Sequence, residues 1–219
     1  MDRPRVTLKL ATSLDGRIAT ASGESRWITG EAARAEVQKL RAAHDAVMIG
    51  AGTARADDPS LLARTEPPPA KQPMRVVLTR GFDVPVGGKL FERLDESPLI
   101  VIGEETNERE LALQRAGALT ANVIDIMDGR GPELALYILW AEYGVKSVLV
   151  EGGGILAAGL IAAGLVDRLE WFRAPIVLGA EGRPAVAALA LGKLSEAPAF
   201  RRVAFQALGP DLWESYERG

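Results

Sequence analysis

Short apolar runs recur along the chain, and most of them are rich in valine, leucine and isoleucine. Several are apolar almost without interruption, which is typical of strands in a parallel sheet that is covered on both faces. The runs that predict strands are RVTLKLA (5–11), DAVMIG (45–50), MRVVLTR (74–80) and PLIVIG (98–103). ALTANVIDI (118–126) contains a predicted strand, KSVLVEGGG (146–154) is a strand that leads into a turn, and DRLEWFRAPIVLG (167–179) is a strand that continues into a loop. Two later runs, AFRRVAFQALG and DLWESYERG, predict a closing hairpin across Gly209-Pro210.

Segments with helical periodicity separate these runs. They are ITGEAARAEVQKLRAAH (28–44), NERELALQRAG (107–117), GPELALYILWAEYG (131–144) and ILAAGLIAAGLV (155–166). AGTARADDPS (51–60) predicts a loop, and the Pro-rich TEPPPAKQP (65–73) predicts an exposed connection. The alternation favours a single α/β domain over 1–219, in which helices cover both faces of a mostly parallel central sheet and the hairpin adds an antiparallel edge.

The composition narrows the classes of function. The chain has 219 residues and a net charge of −3, so no basic excess argues for nucleic acid. It has no cysteine and one histidine, His44, which excludes thiolate chemistry and disfavours metal sites and Ser-His-Asp triads. No apolar run nears the roughly 20 residues of a membrane span, and MDRPRVTLKL lacks a signal-peptide core. We therefore expect a cytoplasmic protein that binds a small molecule and no metal.

The run VEGGGILAAGL (150–160) places three glycines between a strand and a helix. Gly152-Gly153-Gly154-Ile155-Leu156-Ala157 fits G-x-G-x-x-A, so its backbone N–H groups could bind a phosphate, or the glycines could form a tight packing turn. Glu170 stands about where a dinucleotide fold holds a ribose, but only 65 residues follow Gly154, too few for most of such a domain. A phosphate loop would therefore belong to another α/β architecture.

Three features near other strands point to ligand contacts. Gly50-Ala51-Gly52-Thr53 is a second small-residue loop, which could bind a ligand or simply turn the chain. Glu151 ends the strand VLV and could hold sugar hydroxyls, act as an acid or base, or pair with a lysine. Trp27, close to Ser25, could stack on a nicotinamide or pyrimidine ring or anchor its loop. Because ligands in open α/β sheets bind at the carboxyl ends of strands, the two loops together favour a nucleotide groove.

Three basic residues are candidates for anion contacts, namely Lys9, Arg41 and Arg64. Period-two alternation places Lys9 on one face of its strand with Thr7 and Ala11. A lysine on a central strand needs a partner or a cleft, whereas on an edge strand it is solvated. Arginine suits phosphate because its planar fork binds oxygen pairs, although each of these residues taken alone could be a surface charge.

Three blocks in order carry a resemblance to a known family. LKLATSLDGRIATASGESRWITG, LRAAHDAVMIGAGTARADDPSL and VKSVLVEGGGILAAGLIAAGLVDRL closely resemble the reductase domain of the bacterial riboflavin-biosynthesis deaminase/reductase, and the likeness continues through APIVLG. The resemblance implies a dihydrofolate-reductase-like fold, a homodimer, and reduction of 5-amino-6-(5-phosphoribosylamino)uracil with NADPH. The zinc deaminase commonly fused to such reductases needs Cys ligands. Because the chain has no cysteine, we expect no deaminase domain within 1–219.

The resemblance also implies roles for individual residues. Those that match cofactor contacts are Ala11, Trp27, Thr53, Asp57 and the run Gly153, Gly154, Ile155, Leu156, Ala157, Ala158 and Gly159. Those that match substrate contacts are Ser25, Arg41, Leu61, Arg64 and Glu151. Arg80 stands where relatives often have a small polar residue, so it is a candidate for binding the 2′-phosphate of NADP. Lys9 matches an active-site lysine; it or Asp57 would manage a proton, while Glu151 holds hydroxyls or stabilises an iminium.

Two other functions remain open on the sequence. A folate or pterin reductase of the same fold usually needs a buried carboxylate on its first helix. Glu31 and Glu36 are five residues apart there, which places them on different faces and disfavours this reading. A non-catalytic nucleotide-binding protein is the other alternative, and it would have no use for substrate-phosphate contacts such as Arg41 and Arg64.

Overall fold

The structure is a computed structural model that describes residues 2–104, 108–123 and 131–219. The chain divides into two compact units. The first unit comprises Met1–Arg5 and Gln38–Val150, and the second comprises Val6–Val37 and Glu151–Gly219. The expectation of one domain over 1–219 stays a prediction.

Helices and strands alternate through most of the described chain. The helices are α1 (Glu31–Ala42), α2 (Ala51–Asp57), α3 (Glu108–Arg115), α4 (Gly131–Tyr143) and α5 (Gly154–Ala162). The strands are β1 (Arg5–Thr12), β2 (Arg17–Ala19), β3 (Ala46–Gly50), β4 (Met74–Leu78), β5 (Leu99–Gly103), β6 (Leu119–Asn122), β7 (Ser147–Val150), β8 (Arg168–Arg173), β9 (Arg183–Pro184), β10 (Phe200–Leu208) and β11 (Asp211–Arg218). None of these helices is both long and apolar enough to cross a membrane.

The first unit is built on a parallel sheet. Its strand order is β7-β3-β4-β5-β6, and every neighbouring pair runs in the same direction. Consecutive residues such as Val47 and Met48 in β3, or Val76 and Val77 in β4, are fully buried. Because neighbouring residues of a strand point to opposite faces, both faces of this sheet are covered, as the continuous apolar runs predict.

The second unit combines parallel and antiparallel strands in the order β10-β11-β8-β1. β1 and β8 are parallel, whereas β11 runs antiparallel to both β8 and β10. Leu208 pairs with Asp211 across Gly209-Pro210, which confirms the predicted hairpin. The α/β fold class with a mostly parallel sheet is therefore confirmed. A small sheet of β2 and β9 was not predicted, because strands this short show no alternation.

The largest error of the sequence-based prediction concerns 51–60, which was expected to be a loop. Ala51–Asp57 form α2 instead. Gly52 lowers helix propensity by about 1 kcal/mol relative to alanine, which favours a loop on local grounds. Ala51 and Ala54, however, are buried in one hydrophobic cluster with Val77, and this packing stabilises the helix. Of the other predicted elements, Asn107 and 124–126 lie outside the described residues.

Candidate functional site

In the first unit, hydrogen bonds join the segment that carries Arg41 to the segment that carries Arg64. The Nη1 group of Arg41, in the last turn of α1, donates a hydrogen bond to the Leu62 carbonyl at 3.1 Å. The backbone N–H of Arg64 donates to Oε1 of Gln38, one turn earlier on α1, at 2.9 Å. The structure therefore brings together the two arginines for which the sequence suggests a phosphate, and the Arg64 side chain is exposed.

The segment after α2 contains two residues in the left-handed region, Asp58 at φ +41° and Leu61 at φ +55°. A side chain in this conformation costs roughly 1 kcal/mol or more, so tertiary contacts must hold it. Asp58 is held by the backbone N–H of Lys89, which donates to Oδ1 at 2.8 Å. Leu61, an expected substrate contact, is buried in the core. Its side chain thus anchors the segment in the core.

Thr53 and Asp57, two expected cofactor contacts, lie on α2. They are four residues apart and therefore share one face of the helix, and both are half-buried. The run Gly50 to Thr53 is thus the N-terminal turn of a helix and not the loop that the sequence suggested. Gly50 is the N-cap, and no side chain caps this end.

Arg80, the candidate for the 2′-phosphate, stands just beyond the carboxyl end of β4. Its backbone carbonyl accepts a hydrogen bond from the N–H of Glu104 at 3.0 Å, which fixes the main chain. The side chain is exposed. An arginine whose main chain is fixed at a strand end and whose guanidinium is open to solvent is suited to bind an anion from solution.

In the second unit, the glycine run forms the entry to α5. Gly152 and Gly153 have φ of +117° and +88°, which side chains rarely adopt, so both positions need glycine. A Cβ atom on Gly154 would lie 2.5 Å from the Pro184 carbonyl oxygen, so this third glycine permits close packing. The sequence left open a packing turn or a phosphate loop, and the packing requirement is now established for Gly154.

The first turn of α5 also fits a phosphate group. Gly153 is the N-cap, and as a glycine it has no side chain to cap the first N–H groups. Such N–H groups, together with the helix dipole, favour an anion. The side chains of Leu156, Ala157 and Ala158 are buried, whereas Ile155 is exposed. A cofactor at this run would therefore meet backbone groups and Ile155.

Period-two alternation in β1 places Thr7, Lys9 and Ala11 on one face, as predicted. Lys9 and Ala11 are half-buried. Lys9 pairs in register with Glu170 of the parallel strand β8, so their side chains lie on the same face of the sheet. The strand pairing therefore sets a carboxylate beside the lysine that the sequence singles out.

The Glu170 carboxylate is bonded to side chains of its own and the neighbouring strand. It is 1% exposed, and Oε2 accepts hydrogen bonds from Trp213 Nε1 at 2.6 Å and from Ser215 Oγ at 2.5 Å. Its Oε1 pairs with the Arg168 guanidinium. A carboxylate satisfied in this way has no role as a ribose ligand, which agrees with the argument against a dinucleotide domain.

Trp27 is 70% exposed, which is unusual for the largest apolar side chain. The Arg34 guanidinium lies 4.6 Å from the ring centroid and donates to the Thr29 carbonyl at 2.9 Å. A cation over the ring orients the indole without burying it. Ser25, the expected substrate contact two residues earlier, is half-buried.

Glu151 is the first residue after β7 and is half-buried. Of the three expected catalytic residues, Lys9 and Glu151 belong to the second unit and Asp57 to the first. In the part of the chain that the structure describes, no three His, Asp or Glu side chains form a group that could hold a metal ion. Lysine and carboxylate side chains can supply proton transfer and charge stabilisation.

Asp15 makes tertiary contacts that the sequence did not indicate. Its carboxylate accepts hydrogen bonds from the Ser13 hydroxyl at 2.6 Å and from the N–H groups of Leu178 and Gly179 at 3.1 Å and 2.8 Å. These bonds, the Ser13 hydroxyl foremost, lower its pKa to about 2. The ionised side chain ties the loop after β1 to the loop after β8. Only its turn chemistry with Gly16 was visible in the sequence.

Comparisons with known proteins agree on one family. A model of the RibD C-terminal domain matches residues 4–213. The riboflavin biosynthesis protein RibD of Bacillus amyloliquefaciens is 34% identical over 210 residues, which cover 95% of this chain and 56% of that protein. A structure of Acinetobacter baumannii RibD superposes with a TM-score of 0.86 at 31% identity, over 99% of this chain and 58% of that one.

A further solved structure is a deaminase/5-amino-6-(5-phosphoribosylamino)uracil reductase of Thermotoga maritima. Its TM-score is 0.80 at 28% identity, over 99% of this chain and 57% of that one. The chain thus spans between 56% and 58% of the length of these three relatives. These likenesses confirm the fold that the three sequence blocks implied, and the chain belongs to the RibD C-terminal domain family.

Proposed function

We propose that this chain catalyses the NADPH-dependent reduction of the ribosyl group of 5-amino-6-(5-phosphoribosylamino)uracil to the ribitylamino product of riboflavin biosynthesis. The observation that carries the proposal is the pair Arg41 and Arg64, which contacts to Leu62 and Gln38 hold on adjoining segments. The phosphate monoester of this substrate suits the Arg41 guanidinium, which is bonded to the Leu62 carbonyl, together with the exposed Arg64 side chain on the adjoining segment. The name of the Thermotoga maritima relative supports the same substrate.

The reaction requires an electrophilic C1′ atom. O4′ takes one proton, the C1′–O4′ bond breaks, and an iminium forms between C1′ and the amine nitrogen. A bound NADPH supplies the hydride that reduces C1′, and the released NADP⁺ balances the electrons. The single proton delivered to O4′ remains as the new hydroxyl, so one proton is consumed for each substrate reduced.

The protein's part is to bind, to orient and to move that proton. Arg41 and Arg64 hold the phosphate, and Glu151 holds ribosyl hydroxyls or stabilises the iminium. Lys9 or Asp57 delivers the proton to O4′. The other contacts that we propose are Ser25 and Leu61 for the substrate, and Ala11, Trp27, Thr53, Asp57, Arg80 and the run Gly153 to Gly159 for NADPH.

The assay that tests this function is NADPH oxidation by the purified chain with the deaminated phosphoribosylaminouracil, with the product identified by mass. We expect turnover with this substrate and none with dihydrofolate. Well-folded protein that binds NADPH without turnover would favour a nucleotide-binding protein. Turnover of dihydrofolate alone would favour a folate reductase.

Arg80→Ser should weaken NADPH binding and leave NADH binding nearly unchanged. An arginine to phosphate contact contributes about 1.5–3 kcal/mol, so we expect the KM for NADPH to rise roughly tenfold or more. The measurement is KM for both cofactors at one ionic strength. Arg115→Ser, an exposed arginine at the end of α3, is the matched control. An unchanged NADPH to NADH preference in Arg80→Ser would remove Arg80 from the 2′-phosphate site.

We also propose that the protein acts in the cytoplasm as a homodimer, with β10 as the interface. β10 is the edge strand of the second unit's sheet, and Val203 and Phe205 expose 37% and 69% of their surface there. β10 has a bulge between Arg202 and Ala204. Antiparallel pairing of two copies about Ala204 would bring Val203 close to Phe205, so that an apolar pair covers the edge.

Sedimentation equilibrium should therefore give twice the mass of the chain. Phe205→Lys should shift the equilibrium to the single chain, because it places a charge in the apolar pair. Leu111→Lys, on the exposed side of α3, is the matched control and should stay dimeric. A single-chain mass for the parent protein at all concentrations would refute the homodimer, and a dimeric Phe205→Lys would refute this interface.

A further inference from the structure

Gln72, in the Pro-rich connection, makes two hydrogen bonds to the backbone of one residue, Ala63. Its Oε1 accepts from the backbone N–H of Ala63 at 2.9 Å, and its Nε2 donates to the Ala63 carbonyl at 2.9 Å. A side-chain amide that bonds to both the N–H and the carbonyl of one residue replaces the contacts that a neighbouring strand would make. The connection from 65 to 71 is thereby closed into a loop whose ends are fixed.

Gln72 is one of three side chains that bond to consecutive residues of this segment. Arg41 bonds to the Leu62 carbonyl, Gln72 to the N–H and carbonyl of Ala63, and Gln38 to the Arg64 N–H. Three consecutive residues are thus each fixed by a side chain that comes from outside the segment. The segment follows Leu61, which is in the left-handed region at φ +55°.

We infer that Gln72 is a positioning residue for the substrate phosphate, acting through the Ala63 peptide on Arg64 and Arg41. This inference rests on the proposed function. Gln72 is not one of the proposed ligand contacts, but it fixes the Ala63 backbone next to Arg64. It also fixes the Leu62–Ala63 peptide region, to which the Arg41 guanidinium is bonded. Its loss changes the orientation of both arginines, and therefore the binding of the phosphate.

Only glutamine supplies this geometry among the residues of similar size. The position needs one donor and one acceptor at the end of a long side chain. An ionised glutamate offers acceptors alone and sets a carboxylate against the Ala63 carbonyl. A protonated glutamate again offers one donor and one acceptor. Methionine retains the length and packing without either bond.

These differences define the experiment. Gln72→Met should raise the KM for the aminouracil about tenfold, as expected for two lost hydrogen bonds, with the KM for NADPH within about twofold of the parent. Gln72→Glu should be impaired likewise at neutral pH. Relative to the parent at the same pH, it should recover toward pH 5, because the facing carbonyl raises the pKa of the introduced carboxyl.

Binding of ribose 5-phosphate, measured by calorimetry, supplies a readout besides turnover. Its Kd should rise in Gln72→Met by about the same factor as the KM for the aminouracil. Gln114→Met is the matched control, since Gln114 makes side-chain hydrogen bonds within α3 and to Thr120. It should leave both the KM and the Kd at the parental values.

The outcomes separate the two proposals. A lower melting temperature with unchanged KM and Kd in Gln72→Met would assign Gln72 a structural role only and overturn the inference. Should Gln72→Met fail to fold, Gln72→Glu decides through its pH dependence, and a constant ratio to the parent would overturn the inference. Absence of turnover by the parent protein would overturn the proposed function, and the positioning role with it.

Discussion

Glu151→Gln should lower kcat/KM for the aminouracil about 100-fold while the protein stays folded. The substitution keeps the shape of the side chain and removes its charge. Loss of one group that stabilises developing charge typically costs 10²–10³ in rate, because the charge is felt most strongly in the transition state. Steady-state kinetics with both substrates, together with a thermal melt, provide the measurement. Glu142→Gln, on the exposed surface of α4, is the matched control.

The two kinetic parameters distinguish the two roles proposed for Glu151. A fall in kcat would indicate that the carboxylate stabilises the iminium, because only the transition state is affected. A rise in KM with constant kcat would indicate that it holds ribosyl hydroxyls in substrate and transition state alike. If turnover and substrate affinity both stay at the parental level, Glu151 has neither role.

Arg75→Met should lower the free energy of unfolding by about 3 kcal/mol or more. Arg75 is fully buried in β4, where its Nε donates to the Ser97 carbonyl at 3.1 Å. Its Nη1 and Nη2 lie 3.4 Å and 3.5 Å from the carbonyl oxygens of Lys89 and Arg93. Methionine fills the space but leaves these oxygens without a donor, and each such buried group costs about 1–3 kcal/mol.

Desolvation lowers the pKa of Arg75 to about 10, so the buried guanidinium is still charged at neutral pH. Its positive charge meets carbonyl dipoles, and the Glu92 carboxylate partly offsets the fall in its pKa. Urea unfolding measures the effect, with Arg115→Met as an exposed control that should change stability by at most about 0.5 kcal/mol. Equal stabilities of Arg75→Met and the parent protein would show that the carbonyl groups find other donors.

The sequence alone predicted neither Arg75 nor Gln72 as important. The sequence places Arg75 in the predicted strand MRVVLTR but does not indicate that its side chain is buried, as it is in the central strand β4. Gln72 stands in a Pro-rich stretch that predicts an exposed connection. Its partner Ala63 is nine residues away, and no local pattern encodes such a pairing. Polar contacts of this kind depend on where the chain returns, which periodicity does not specify.

Helix α2 is another feature that the local sequence did not predict. GAGTARADD has the small residues of a loop, and its local preferences are weak. Burial of Ala51 and Ala54 in the core supplies the stabilisation that makes it helical. As a result, Thr53 and Asp57 share a helix face, an arrangement that a loop would not have fixed.

The sequence by itself determined most strands, most helices, the closing hairpin and the family, because hydrophobic periodicity and the three motif blocks are local properties of the chain. It also determined that Gly152 to Gly154 mark a special turn. Only the tertiary structure decided that Gly152 and Gly153 serve the turn and Gly154 the packing against Pro184, and that hydrogen bonds join the segments that carry Arg41 and Arg64. The physical reason is that these features depend on contacts between segments distant in sequence, whose distances no residue pattern contains.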